Sequence, residues 1–261
     1  MSTAPLEAAN LRVSVPGRLL VDGFDCSVHP GEFVAVLGGN GTGKSLLMRT
    51  LAGLRAPDGG QVRMQSTDIV SLPRRAIAVN LGFLPQDPDA APQGTLLDSV
   101  MLGRYAHLGF WETNGAADDQ RARQALSDVG LDGFAARELA TLSGGEQRRA
   151  ALARLLVQAP SIYLLDEPTN HLDPAQQLGI LEHLRGLTRA GAAVIASLHE
   201  PNLALRFADR LWLLSGNGGV TVVGTQELET GHLASLYGID YVETRLGEHR
   251  FMAPGSWPRS R

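Results

Sequence analysis

One stretch constrains the fold more than any other: EFVAVLGGNGTGKSLLMRTLAG, residues 32 to 53. It opens with apolar residues at successive rather than alternating positions, the pattern of a strand covered on both faces. GGNGTGKS (38 to 45) follows and fits G-x-x-x-x-G-K-[ST] with Gly38, Gly43, Lys44 and Ser45, before a segment of helical composition. Set between a strand and a helix, such a loop turns consecutive backbone N–H groups inward around a phosphate. Lys44 then offers positive charge to the outer phosphates and Ser45 a hydroxyl to Mg²⁺. The positive end of the following helix faces the same anion. Glycine-rich turns are common, but this context is the one a nucleotide cradle needs.

Two more continuous apolar runs, SIYLLDE (161 to 167) and AAVIASLH (192 to 199), predict further strands of one parallel sheet. In open α/β sheets, ligands gather outside the carboxyl ends of the strands, so these endings point to one site built from distant segments. Asp166 and Glu167 close the second run. Phosphoryl transfer calls for a strand-end aspartate on Mg²⁺ and a neighbouring carboxylate that orients water. Alone, DEP reads equally well as a charged turn; beside a phosphate loop it reads as chemistry. His199 ends the third run, where it can donate to a γ-phosphate, although a lone histidine is more often a structural hydrogen-bonder. Between the first two runs, RARQALSDVGL and EQRRAALARLLVQ carry helical patterning, which predicts a helical insertion over about 90 to 158.

TLSGGEQRRAALARLL (141 to 156) poses a narrower question. Ser143 and Glu146 make a capping-box pattern, predicting a helix start with Ala150, Ala153, Leu156 and Val157 on its apolar side. The cap does not explain Gly144 and Gly145, each about 0.5–1 kcal/mol worse than alanine in a helix. Bare N–H groups at a helix start can meet a phosphate directly. Since the chain already has one cradle, a second anion-binding tip makes sense if it serves ATP held by another copy.

Composition bounds the rest. The 261 residues, 44% hydrophobic, bury one substantial core, and a net charge of -4 with few basic clusters argues against a nucleic-acid partner. Cys26 is the single cysteine, and the N-terminus lacks a secretory signal, so a cytosolic setting is expected. No run approaches the roughly 20 apolar residues of a spanning helix, so any membrane role passes through a partner. The seven histidines show no metal-ligand spacing, and no zinc site is expected.

Taken together, the motifs resemble the nucleotide-binding subunit of an ABC transporter: a Walker A loop (Gly38 to Ser45), a Q-loop (Gln86), the signature LSGGE (Leu142 to Glu146), Walker B (162 to 167), a D-loop (NHLD, 170 to 173) and the switch His199. The resemblance implies an α/β fold: a P-loop NTPase core with a mainly parallel sheet, an N-terminal antiparallel β-subdomain and an inserted α-helical subdomain. It implies one domain over 1 to 245 and a C-terminal tail over 246 to 261. It further implies a head-to-tail homodimer with two ATP molecules in the interface. Gly38, Gly39, Asn40, Gly41, Thr42, Gly43, Lys44, Ser45 and Leu46 of one copy face Ser143, Gly144, Gly145 and Glu146 of the other, with Asp173 nearby. By the same likeness Ser45, Gln86 and Asp166 hold Mg²⁺, and Glu167, His199 and Gln86 carry the catalysis.

VPGRLLVDG, RAIAVNLGFLPQD, VMLGRYAHLG and ASLYGID are similar to the ATPases of importers for ferric siderophores, haem and cobalamin. That class implies integral membrane permease subunits docked around Arg104 to Leu108, an indirect substrate-binding protein, and a peripheral place on the cytoplasmic membrane face. Two departures stand out. Where the family has an aromatic residue that stacks on adenine, this chain offers Val13 or Val15, which predicts aliphatic packing and relaxed base selectivity. TNHLD also occurs in translation-associated ABC-F ATPases, but those carry two cassettes and this sequence has one Walker A and one signature. A non-transport ABC ATPase, an ABC subunit for another substrate such as a metal ion, a P-loop kinase and a regulatory nucleotide-binding module remain the alternatives.

Overall fold

The computed structural model describes residues 5–86, 94–109, 115–247 and 249–255. Strands β1 (Leu6–Val15) and β2 (Arg18–Val28) form an antiparallel hairpin across Pro16 and Gly17, with Val15 opposite Arg18. Gly17 sits at φ 75°, and proline followed by a positive-φ glycine is what a type II turn takes. After β3 (Phe33–Leu37) and α1 (Lys44–Leu51), strands β4 (Gly59–Met64) and β5 (Thr67–Asp68) join that hairpin in a four-stranded antiparallel sheet of order β2-β1-β4-β5.

The chain continues through α2 (Arg74–Asn80), β6 (Leu81–Leu84), α3 (Leu96–Met101), α4 (Ala116–Asp128), α5 (Gly144–Gln158), β7 (Ile162–Leu165), α6 (Pro174–Arg189), β8 (Ala193–Ser197), α7 (Pro201–Phe207), β9 (Arg210–Leu214) and β10 (Val220–Gly224). Its second sheet has the order β10-β9-β3-β8-β7-β6 and is parallel except for β10 against β9. The three continuous apolar runs are thus the adjacent strands β3, β8 and β7. Every residue of β3 is buried, and alternate side chains serve different cores. Phe33, Ala35 and Leu37 pack toward α5, α6 and α7, while Val34 and Val36 pack toward α1 and the antiparallel sheet. Two covered faces are why the run does not alternate.

Helices α3, α4 and α5 fall within the expected insertion, of which residues 90–93 and 110–114 lie outside the described residues. On α5, Ala150, Ala153 and Val157 are buried as the periodicity requires, Leu152 and Leu155 are buried with them, and Leu156 is half-buried. No helix among the described residues is long and apolar enough to cross a membrane.

The tail expected from residue 246 needs correction. Beyond α8 (Thr230–Tyr237), β11 (Tyr241–Leu246) pairs with β12 (His249–Pro254) in an antiparallel hairpin. Met252 is buried, and its backbone exchanges two hydrogen bonds with the Asn202 amide of α7, at 2.8 and 3.1 Å. Arg250 binds the carbonyls of Thr225, Gln226 and Leu228 and the carboxylate of Glu243. Residues 256–261 of the expected tail lie outside the described residues.

Candidate functional site

The loop between β3 and α1 forms one wall of a cavity of about 560 Å³. Gly43 adopts φ 102°, and a Cβ there would come within 2.9 Å of the Leu20 side chain, so glycine is required on two counts. Lys44 is buried, and its ammonium donates to the carbonyls of Gly38 (2.8 Å) and Gly39 (3.1 Å). Burial pulls its pKa down, while the charges of Glu167 and Asp166 hold it up. Thr42 Oγ1 donates to the Gly39 carbonyl at 2.9 Å, tying the loop to itself. Asn40, Gly41, Thr42, Gly43, Lys44, Ser45 and Leu46 all line the cavity, and Gln86, Glu167 and His199 close it from the other side. Gly38 and Gly39 lie beneath, as acceptors for Lys44.

The acidic pair follows β7 directly. Asp166 and Glu167 are both buried, and Ser197 at the end of β8 joins them. Its hydroxyl donates to Asp166 Oδ1 at 2.7 Å and accepts the Glu167 backbone N–H at 2.8 Å. Glu167 sits at φ 53°, a conformation that costs a non-glycine residue about 1–3 kcal/mol and persists only where surroundings enforce it. Here they do: Oε1 lies 2.6 Å from His199 Nε2, and Oε2 accepts from Gln86 Nε2 and Asn170 Nδ2, each at 3.1 Å. Arg148 of α5 adds hydrogen bonds to the carbonyls of Gln86, Asp166 and Glu167, joining the helical insertion to the acidic pair.

Asp166 Oδ2 is buried without a hydrogen-bond partner. A bare carboxylate oxygen suits a hard cation. Ser45 Oγ and Gln86 Oε1, 3.5 Å apart, add two neutral oxygens. An all-oxygen set with a single carboxylate fits Mg²⁺, which takes few protein carboxylates and completes its shell with phosphates and water.

The signature segment stands apart from this cavity. Ser143 and Glu146 form the expected capping box: Ser143 N–H and Oγ donate to Glu146 Oε2 at 2.7 and 2.8 Å, and Glu146 N–H returns to Ser143 Oγ. Those bonds hold the Glu146 carboxyl below the usual range. Glu146, expected at the nucleotide, thus orders the helix tip. None of Ser143, Gly144, Gly145 or Glu146 lines the cavity of its own chain. A Cβ on Gly144 would meet nothing within 4 Å, and one on Gly145 would make only ordinary contact with His171 and Leu172. Asp173, also expected at the nucleotide, caps α6 by accepting from Gln176 N–H at 2.9 Å, with Pro174 in the first helical turn.

Of the two valines expected beside adenine, Val13 is fully buried between the sheets, whereas Val15 lines the cavity with Arg18 and Leu20. Arg18, Ser197 and Arg148 were given no role by the motifs, and Asn170 entered only as the first residue of NHLD; Ser197 left a trace as a hydroxyl two residues before His199.

Beyond Gln86, a second groove of about 540 Å³ runs between α2, the turn at Leu102–Ala106 and α5, lined by Arg75, Phe83, Leu102, Tyr105 and Arg154. Tyr105 is 64% exposed. Arg104 is spent on Asp118 at 2.9 Å, and the His107 ring bonds to the Gln158 carbonyl at 2.7 Å, so these two build the rim.

Comparison with known proteins agrees with this geometry. Residues 21–170 match the family model described as ABC transporter. The chain is 40% identical over 223 residues to the hemin import ATP-binding protein HmuV of Rhodopseudomonas palustris, covering 81% of this chain and 79% of that one. Among solved structures, an inward-facing ABC transporter described as metal-chelate type superposes with a TM-score of 0.82 at 27% identity, covering 97% of this chain and 98% of that one. The dimeric, post-hydrolysis cassette MJ0796 with ADP and Pi gives a TM-score of 0.76 at 27% identity over 85% of this chain and all of that one. A phosphate loop, a carboxylate cage and an exposed glycine-bearing helix tip, in a chain so matched, lead to one conclusion: the chain belongs to the ABC transporter family and is an ATPase.

Proposed function

We propose that the chain is the subunit that energises an importer of an iron-bearing or cobalt-bearing chelate, with haem, ferric siderophores and cobalamin as the cargo class. Two copies close head to tail on two ATP molecules. The single observation that carries this reading is the helix tip at Ser143–Gly145, capped and bare, outside the cavity of its own chain and with open space where a Gly144 side chain would stand. A second cradle, from another copy, is the partner such a tip fits.

In this reading the loop amides and Lys44 bind the β- and γ-phosphates. Asp166, Ser45 and Gln86 hold Mg²⁺, which when bound neutralises phosphate charge. Glu167, buried and aimed by Gln86, Asn170 and His199, accepts the proton of the attacking water, and His199 donates to the γ-phosphate. Arg148 and Gln86 carry the closure toward the groove around Tyr105, where a permease helix docks. The subunit then works from the cytoplasmic membrane face, and a substrate-binding protein contacts only the permease. The hemin importer likeness supports the cargo class, and no residue of this chain need touch the cargo.

Glu167→Gln tests the closure. The variant is expected to bind ATP with Mg²⁺, stop turning it over and elute at twice the 27.8 kDa mass of the chain. A variant that hydrolyses at the parent rate, or stays monomeric with saturating ATP, overturns the scheme. For the cargo class, the permease that co-purifies with the chain is reconstituted in liposomes with its binding protein; ATP-driven uptake of hemin, a ferric siderophore or cobalamin is expected, and uptake of none of them refutes the class.

A further inference from the structure

The cavity has two ends, and only one has been given a ligand group. Its catalytic end is bordered by Glu167 and His199, where the γ-phosphate reacts; the triphosphate lies along the loop at 40–45. The nucleoside must therefore leave toward the other end, walled by Val15, Arg18 and Leu20. Of these three residues none carries an aromatic ring, and Arg18 alone brings a planar, delocalised group, its guanidinium.

That side chain is held in place. The turn at Pro16 and Gly17 sets Arg18 opposite Val15. Arg18 Nε and Nη2 both donate to the carbonyl of Gly216, at 3.2 and 2.9 Å, from the loop between β9 and β10. Gly216 has φ 75° and packs so closely on Arg18 and Thr42 that a Cβ would lie 3.0 Å from each. Pinned along one edge, the guanidinium plane keeps a face for stacking and has little rotamer freedom left to lose.

We propose that Arg18 is the base platform of this ATPase: its guanidinium stacks on the purine, with Val15 packing beside it. A guanidinium reads the π-face of a base and not its edge, so adenine and guanine are held alike. This rests on the assignment of the phosphate cradle to Gly38–Ser45, and the experiment separates the two.

Binding of ATP, GTP and inorganic tripolyphosphate is measured by calorimetry with Mg²⁺ in a Glu167→Gln background, which prevents turnover. Arg18→Ala is expected to weaken ATP and GTP by about 5- to 30-fold and to leave tripolyphosphate unchanged. Arg18→Tyr restores the nucleotides by supplying another flat π-face, and Arg18→Lys, which keeps the charge but not the plane, does not. Equal loss of ATP and tripolyphosphate would make Arg18 a phosphate contact and overturn the proposal; so would full rescue by lysine, or an unaltered ATP affinity in Arg18→Ala. Lys44→Ala serves as the control. If it leaves tripolyphosphate binding intact, the cradle assignment itself falls.

Discussion

Gly144 separates a residue kept for folding from one kept for a partner. Replacing it with alanine puts a methyl group into space that holds no atom within 4 Å, so the free chain incurs no steric cost. Alanine is better than glycine in a helix by up to about 1 kcal/mol, less in a first turn, so the fold is unchanged or firmer. For a chain of this size that corresponds to a melting temperature raised by about 0–4 °C. Valine at the same place adds two more methyl carbons beyond that open Cβ position and projects them where the proposed partner phosphate must come. The tip lies outside its own cavity, so ATP affinity of the free subunit should hold. Loss of an anion-binding helix start in the transition state costs on the order of 10²-fold or more in turnover. The assay is three-part: thermal melting, nucleotide titration and steady-state ATP hydrolysis, with Glu167→Gln/Gly144→Val sized by chromatography and expected to stay monomeric. A Gly144→Val subunit that melts well below the parent would show that the glycine serves the fold. Parental turnover in that variant, or a surviving ATP-dependent dimer, would refute the composite site.

Two further expectations are local. Ser197→Ala strips Asp166 Oδ1 and the Glu167 amide of their shared partner, each loss costing about 1–3 kcal/mol; a higher Mg²⁺ requirement for ATP turnover and a lower melting point should accompany each other, and parental values of both would deny Ser197 its place. Asp209 ties the start of β3 to α6, accepting from Phe33 N–H and from both arms of Arg185 at 2.7 and 2.8 Å. Burial opposes its charge, but these donors prevail and hold the carboxyl below its usual range. Its contribution, about 1 kcal/mol for a pair this exposed to solvent, is therefore present above about pH 4 and fades as pH falls through the lowered pKa. Urea titrations should show Asp209→Asn weaker than the parent at pH 7 and converging with it below pH 4; a gap that widens in acid would reverse the argument.

What the sequence showed and hid follows from range. The strands were legible because both faces of β3, β7 and β8 are covered, which writes itself as unbroken apolar runs. The cradle was legible because all its parts sit within eight residues, and the capping box because it spans four. Arg18 was not, since its partner Gly216 lies 198 residues away and meets it only through the pairing of β9 beside β3. Arg148 lies in the helical run EQRRAALARLLVQ with nothing local to mark it, yet it is buried, with loop carbonyls from two distant segments as its solvent. The hairpin at 241–254 was hidden because YVETRL and HRFMAP hold no continuous apolar run; its order comes from Asn202 and from backbone acceptors for Arg250 that no local pattern announces.

The grip of Asn202 on Met252 has a temporal side. Helix α7 begins two residues after His199, and the brace on it comes from a strand 50 residues downstream of Asn202. A ribosome that has just released the switch histidine has not yet made the piece that steadies it. The phosphate loop can be shaped early in synthesis, whereas the helix that follows His199 gains this brace only once β12 has emerged and docked.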